Sequence, residues 1–241
     1  MHDFGKIVYL EMQKSGSTFV NKFLKECCLL KEIKRQKHDV IRDDYDREKF
    51  YFITIRHPFD LYSSLYRFGL DGRGAIHMRL EALGKTACYK SFNSFIEFVI
   101  DPKNALYLGE GYSEQIANQV GIMSFRFMRL SLQFPLKQMA TTLASGVGLL
   151  DLEDKFITNL EIRNENLNSE LMRLSTELFP DLFNQEKVAR FFDDNGRVNA
   201  STTSNDGRFR DEMERVLALI EKKEALRLST YSTFYTSDIE P

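Results

Sequence analysis

The chain has 241 residues, of which 43% are hydrophobic and 28% charged, with 33 Lys and Arg against 35 Asp and Glu. That composition suits one globular domain with enough chain to bury a core, and a formal net charge of −2 excludes the chain-wide cationic field of an unspecific nucleic-acid binder. Apolar runs such as Ile7–Leu10 fall far short of the roughly 20 residues that a membrane helix needs.

The elements follow in chain order. Lys6–Met12 is a short β-branched and aromatic run, the pattern of a buried strand. A polar turn, Gln13 to Thr18, leads into Phe19, Val20, Phe23, Leu24, Cys27 and Cys28 at helical spacing. The segment from Leu30 to Val40 is extended and ends in charged residues, and Ile41 to Lys49 is a polar connector. Phe50–Arg56 is apolar almost throughout, as expected of a strand covered on both faces in a parallel sheet. Pro58 suits the first position of the next helix, where Leu61, Ser64, Leu65 and Phe68 share a face. Strand, helix, strand, helix implies an α/β fold with a parallel sheet.

Residues 69–90 are glycine-rich and then basic, which fits a substrate-facing insertion or lid. Phe92–Ile100, Ser113–Val120 and Pro135–Leu143 are expected helices. Lys155–Ile162 is an expected strand, and Glu165–Phe179 an amphipathic helix stopped by Pro180. A polar loop, Asn195 to Arg210, precedes a charged helix from Asp211 to Leu226 that reads as a solvated face. No repeat or linker divides the chain, so a single domain over 1–241 is expected. The opening residues lack a signal-peptide pattern, which points to a cytoplasmic protein. The three cysteines, Cys27, Cys28 and Cys88, have neither disulfide nor metal spacing and read as reduced thiols.

Charge is unevenly spread. Residues 1–90 hold 17 basic and 12 acidic side chains, while residues 91–241 hold 16 and 23, so an anionic ligand belongs with the first third. There, a strand runs through Lys14-Ser15-Gly16-Ser17-Thr18 into a helix. The first amides of a helix lack internal partners and carry the positive end of its dipole, Gly16 lets a ligand approach the backbone, and Lys14 adds a cation. A plain Ser or Thr helix cap accounts for the same residues equally well. The Walker A order is absent, since Lys14 precedes the glycine. Arg56 closes a strand and Ser64 stands eight residues on; a guanidinium and a hydroxyl there can hold a second phosphate. Open α/β sheets bind ligands at the carboxyl ends of their strands.

Taken together, Lys14–Thr18 and Arg56-x-Pro58 through Ser64-x-Tyr66 resemble the two donor motifs of the sulfotransferase family, whose donor is 3′-phosphoadenosine-5′-phosphosulfate (PAPS). Arg163-Asn-Glu165-Asn-Leu167 and Val198-Asn199-Ala-Ser201 are looser echoes. The layout is closest to the carbohydrate 2-O-sulfotransferase type and its bacterial relatives. The resemblance covers residues 6–68 specifically and 155–205 loosely, and leaves about 69–150 as a variable acceptor region. It implies a P-loop-like three-layer fold with a central parallel sheet. Lys14 would act on the transferring sulfuryl group; Ser15, Gly16, Ser17 and Thr18 would bind the 5′-phosphate, and Arg56 and Ser64 the 3′-phosphate. Asn199, Ser201 and Arg208 are assigned to the C-terminal donor loop by position alone. PAPS would be the donor, its desulfonated nucleotide (PAP) the product, and a hydroxyl of a saccharide the acceptor, with no metal and no nucleic acid involved.

Sulfuryl transfer to a hydroxyl also needs a general base. A histidine, with a free pKa of about 6.5, suits that task. His38 is chosen because related carbohydrate enzymes place a histidine between the donor motifs; the alternative is a solvated histidine in the charged run Lys34 to Arg42. Glu11 is a second candidate base, although its strand position favours a structural role. His57 is read as structural, His77 as a possible substrate contact in the insertion, and His2 as frayed. Two other functions stay open: a P-loop nucleotide kinase or other phosphotransferase, and a nucleotide-binding protein of the same fold without catalysis.

Overall fold

The computed structural model describes residues 1–41, 45–133, 138–139, 141–142, 145, 155–195 and 210–233. Its strands are β1 (His2–Asp3), β2 (Ile7–Leu10), β3 (Lys34–Arg35), β4 (Phe50–Ile55) and β5 (Leu160–Arg163). Its helices are α1 (Ser17–Cys27), α2 (Pro58–Leu70), α3 (Ala75–Ala82), α4 (Phe92–Ile100), α5 (Ala105–Leu108), α6 (Glu114–Gln119), α7 (Ile122–Ser131), α8 (Leu167–Arg173), α9 (Gln185–Asn195) and α10 (Arg210–Thr233). The chain divides into two compact units, Met1–Arg56 with Ile157–Asn205, and His57–Phe156 with Asp206–Pro241.

The first unit is an α/β layer built on a five-stranded mixed sheet in the order β3-β1-β2-β4-β5. Its centre is parallel: β2 pairs with β4 from Ile7↔Phe50 to Leu10↔Ile53, and β4 with β5 from Phe52↔Leu160 to Ile55↔Arg163. β1 runs antiparallel to both β2 and β3. The apolar run of β4 behaves as its composition demands, with Tyr51 to Ile55 all buried. β5 is shorter than the run Lys155–Ile162 suggests, because Asn159 intervenes at its start. The Asn159 side chain accepts the Tyr51 N–H at 2.7 Å, and its own N–H donates to the Tyr51 carbonyl at 2.8 Å. The extended segment from Leu30 narrows to the two residues of β3.

α1 buries Phe19, Val20, Phe23, Leu24 and Cys27, the face its spacing marks out. Phe23 meets Phe183 and Phe191 at ring distances of 5.5 and 5.3 Å, and Phe19 meets Phe191 at 5.2 Å. Such ring pairs contribute about 0.5–1.5 kcal/mol each beyond the area they bury, and they bind α1 to α9. The predicted helix from Glu165 is a 3-10 turn, then α8, then a π turn over Leu174–Leu178, with Pro180 beyond. Burial pushes the Cys27 thiol up to about 11; the three cysteines are free thiols.

His2 is a correction. It was expected to fray, yet it lies in β1, paired with Tyr9 and Arg35, and is 1% exposed. A two-residue strand has no periodicity to betray it.

The second unit is helical. Pro58 does occupy the first turn of α2, and α4 spans its predicted residues. The insertion at 69–90 folds as α3 and a 3-10 turn over Thr86–Lys90. A Cβ on Gly69 would stand 2.2 Å from the Tyr89 ring, so glycine there lets that ring lie on α2. The predicted helix Pro135–Leu143 falls mostly outside the described residues, as does the polar loop after Asn195.

α10 overturns its reading as a solvated face. Val216 and Ile220 are buried, and Glu224 is wholly so. Its carboxylate accepts the Tyr62 hydroxyl at 2.6 Å, the Ser124 hydroxyl at 2.5 Å, and the backbone N–H groups of Met123 and Ser124 at 3.1 and 2.8 Å. Met123 and Ser124 open α7, whose own cap, Gly121, has no side chain. Glu224 thus caps a helix remote in sequence, and α10 departs from helical geometry at that residue (φ −107°, ψ 15°). Glu224→Ala would strand several buried donors at once; a loss of about 3 kcal/mol or more is expected in denaturant unfolding, with Tyr62→Phe costing about 1 kcal/mol.

Candidate functional site

The candidate site is built at the carboxyl ends of the parallel strands. β2 leaves the sheet at Leu10 and returns as α1 through a turn with two left-handed residues, Lys14 (φ 64°) and Gly16 (φ 88°). Gly16 is the N-cap and contributes no side-chain bond to the helix. A Cβ at that position would sit 2.6 Å from Asn164 Oδ1 and 2.8 Å from Leu167 Cδ2. Glycine is therefore demanded twice, by φ and by the close approach of the chain leaving β5.

Ser15 is fully buried and holds this turn to the sheet. Its hydroxyl donates to the Met12 carbonyl at 2.9 Å and lies 2.8 Å from Thr54 Oγ1, which lies 2.7 Å from the Tyr9 hydroxyl. Each hydroxyl has one proton, so the bonds run one way: Tyr9 donates to Thr54, Thr54 to Ser15, and Ser15 to the carbonyl. Burial pushes the Tyr9 phenol well above its usual range, which keeps that proton in place. The Ser15 side chain is thus committed to the turn, and its part in any ligand site is the backbone. Ser17 and Thr18 open α1.

Arg56 follows β4 directly and is half-buried. Its Nε is buried and has no hydrogen-bond partner among the described residues. Arg163, from the looser echo, ends β5 opposite Ile55, and Leu167 is buried beside Gly16.

His38 stands in the turn after β3, half-buried, in a left-handed conformation (φ 54°). Its Nδ1 lies 2.9 Å from the backbone carbonyl of Glu11, just past the end of β2. A carbonyl only accepts, so Nδ1 carries the proton and the basic lone pair is on Nε2. The histidine and the Lys14 turn are in this way tied to the same strand exit.

Glu11 is 3% exposed. Its carboxylate meets His2 Nε2 at 3.3 Å and accepts from Asn21 Nδ2 at 3.3 Å. Burial alone would raise its pKa, but the His2 hydrogen bond and the charges of His38 and His2 prevail and hold it at about 2. A carboxyl held that low is a poor base near neutral pH, in keeping with a structural role.

Ser64 lies on α2, half-buried, in the second unit, as do His57 at the N-cap of that helix and His77 on α3. The His77 ring is 5.3 Å from that of Tyr89. Asn199, Ser201 and Arg208 lie outside the described residues. Among the described residues no group of three or more His, Cys, Asp or Glu is gathered to hold a metal, and no helix is long and apolar enough to cross a membrane.

Sequence reasoning missed the Tyr9–Thr54–Ser15 chain and the His2–Glu11 pair. Thr54 was detectable: a lone hydroxyl within the apolar run Phe50–Ile55 has to find a buried partner. His2 carried no comparable mark.

Two outcomes follow. Thr54→Val breaks the hydroxyl chain at its middle and should cost about 1–3 kcal/mol in chemical denaturation. Because the Glu11 carboxyl is depressed in the fold, its stabilisation is present above the ordinary value of 4.5 and lost as pH falls towards about 2. Unfolding free energy should decline over that window by up to about 3 kcal/mol, with the Glu11→Gln variant showing a flatter profile. Compared with known proteins, the chain matches no family model, and no curated protein or solved structure matches it at a significant level.

Proposed function

We propose that this chain is a PAPS-dependent sulfotransferase that transfers a sulfuryl group to a hydroxyl acceptor, with a saccharide as the acceptor class. The observation that carries this reading is Arg56: a guanidinium at the carboxyl end of a central parallel strand whose buried Nε has no partner among the described residues. A buried donor is costly unless it is satisfied, and a phosphate accepts from a guanidinium in bidentate fashion. The turn at Lys14–Thr18 supports a second anion, since it presents a helix N-terminus behind a glycine cap with a lysine two residues before it. Two such devices at neighbouring strand exits suit a donor with two separated phosphate groups.

In this reading the first unit's sheet is the centre of a P-loop-like three-layer fold. The amides at Gly16 to Thr18 and Lys14 hold the 5′ end of the donor, and Arg56 the 3′-phosphate. The donor supplies an activated sulfuryl group. His38 Nε2 takes the acceptor's hydroxyl proton as that oxygen bonds to sulfur and the sulfur–oxygen bond to the phosphate breaks, its electrons leaving with the phosphate. Lys14 offsets the charge that develops on that leaving oxygen. Base and cation act without a metal.

Calorimetry with adenosine 3′,5′-bisphosphate checks the assignment. Wild-type protein should bind the nucleotide; Arg56→Ala should lose about 10- to 100-fold in affinity, the worth of one charge-assisted contact, and Lys14→Ala should also weaken binding. His38→Ala should bind as wild type while sulfate transfer from labelled PAPS to a hydroxyl library disappears. Unchanged affinity in both Lys14→Ala and Arg56→Ala refutes the donor site, and preferential binding of ATP with magnesium would favour a phosphotransferase instead.

A further inference from the structure

Behind the candidate base lies a buried cluster that the proposed chemistry does not use. His2 is enclosed between two carboxylates, with Nε2 at 3.3 Å from Glu11 Oε2 and Nδ1 at 2.5 Å from Glu32 Oε1. Carboxylates accept and do not donate, so both contacts are hydrogen bonds only when both ring nitrogens carry protons. His2 is itself held by the pairing of β1 with β2 and β3, and its ring stacks on Tyr9 at 6.0 Å. Asn21, from α1, donates to the other oxygen of Glu11. The Glu11 carboxylate is therefore fixed from two sides, by a strand and by a helix.

Glu11 also reaches His38 in two ways. Its backbone carbonyl accepts the Nδ1 proton of that ring at 2.9 Å, and its carboxylate charge is coupled to the ring electrostatically. We infer that Glu11 is the positioning residue of His38: its carbonyl fixes the imidazole as the Nδ1–H tautomer, with the accepting lone pair on Nε2, and its anchored carboxylate favours the positive charge that the ring gains with a proton. His2 and Asn21 keep that carboxylate in place. The inference rests on the reading of His38 as the base and assigns Glu11 a part in the same site without contact to substrate. A neutral histidine in water has no such fixed tautomer, and a base whose lone pair faced the protein would be useless to an acceptor.

The charged groups facing this arrangement are Glu11 and His2 from the ends of β2 and β1, Glu32 ahead of β3, and the Met1 ammonium, which acts on Glu11 and is itself coupled to Glu32, Lys34 and Asp39.

Ring-nitrogen NMR of the full chain labelled with 15N-histidine, followed from pH 5 to 9, tests it. Wild-type His38 should titrate from the imidazolium to the Nδ1–H tautomer. In Glu11→Gln the carbonyl remains, so the tautomer should persist, while loss of the negative charge should move the His38 midpoint down. His2→Gln, which keeps the Glu11 charge but removes the cationic ring held against it, should move the midpoint up. An Nε2–H tautomer in wild type overturns the inference, and so does an unmoved midpoint in a folded Glu11→Gln. Should that variant not fold, the wild-type tautomer and the His2→Gln midpoint decide by the same criteria. Adenosine 3′,5′-bisphosphate added to the same samples is scored separately: failure to bind removes the sulfuryl-transfer reading, whereas the tautomer and midpoint alone judge the role of Glu11 towards His38.

Discussion

A one-way chain of hydroxyl protons, from Tyr9 through Thr54 and Ser15 to the Met12 carbonyl, is the constraint on which the rest of the first unit depends. It joins β2 to β4 beneath the sheet's surface and fastens the turn that follows β2 to the strand beside it. With Ser15 turned inward, Lys14 and Gly16 on either side take left-handed conformations, and α1 begins at the following residue. The turn is then pressed against the chain leaving β5 so closely that only a glycine fits at position 16. Parallel pairing of β2, β4 and β5 does the remaining work of bringing three strand exits to one edge.

Chemistry at that edge is local. The chain as a whole is slightly anionic, so an anionic donor would be held by a few aimed groups and not by a general field. One is a helix N-terminus, one a lysine beside it, and one a guanidinium with a buried nitrogen that has no acceptor among the described residues. A histidine is attached to the same edge through the Glu11 backbone. The second unit uses a different solution to a similar problem: the amides opening α7 are satisfied by Glu224 from α10. A helix start closed by a buried carboxylate differs from that of α1, where the Gly16 cap contributes no side-chain bond.

Much of this was legible in the residues. β4 announced itself by an unbroken apolar run, α1 by its spacing, and the start of α2 by Pro58. Gly16 stands out in the sequence as a loop glycine, but the structural demand upon it comes from Asn164 and Leu167 as well as from its φ, and local sequence foretells neither neighbour. Glu224 was misread because it sits among charged neighbours, Glu221, Lys222 and Lys223; its burial is dictated by amides about a hundred residues earlier. His2 was missed since pairing across only two residues leaves no pattern. The tie between His38 and Glu11 is likewise a long-range contact, made by a main-chain carbonyl that carries no sequence signature.

A crystal structure with adenosine 3′,5′-bisphosphate bound tests the donor site most directly. The 5′-phosphate is expected on the amides that open α1 beside Lys14, and the 3′-phosphate within hydrogen-bond distance of the Arg56 guanidinium. A nucleotide seated away from the carboxyl ends of β2 and β4, or one whose phosphates leave Arg56 without contact, would contradict that site.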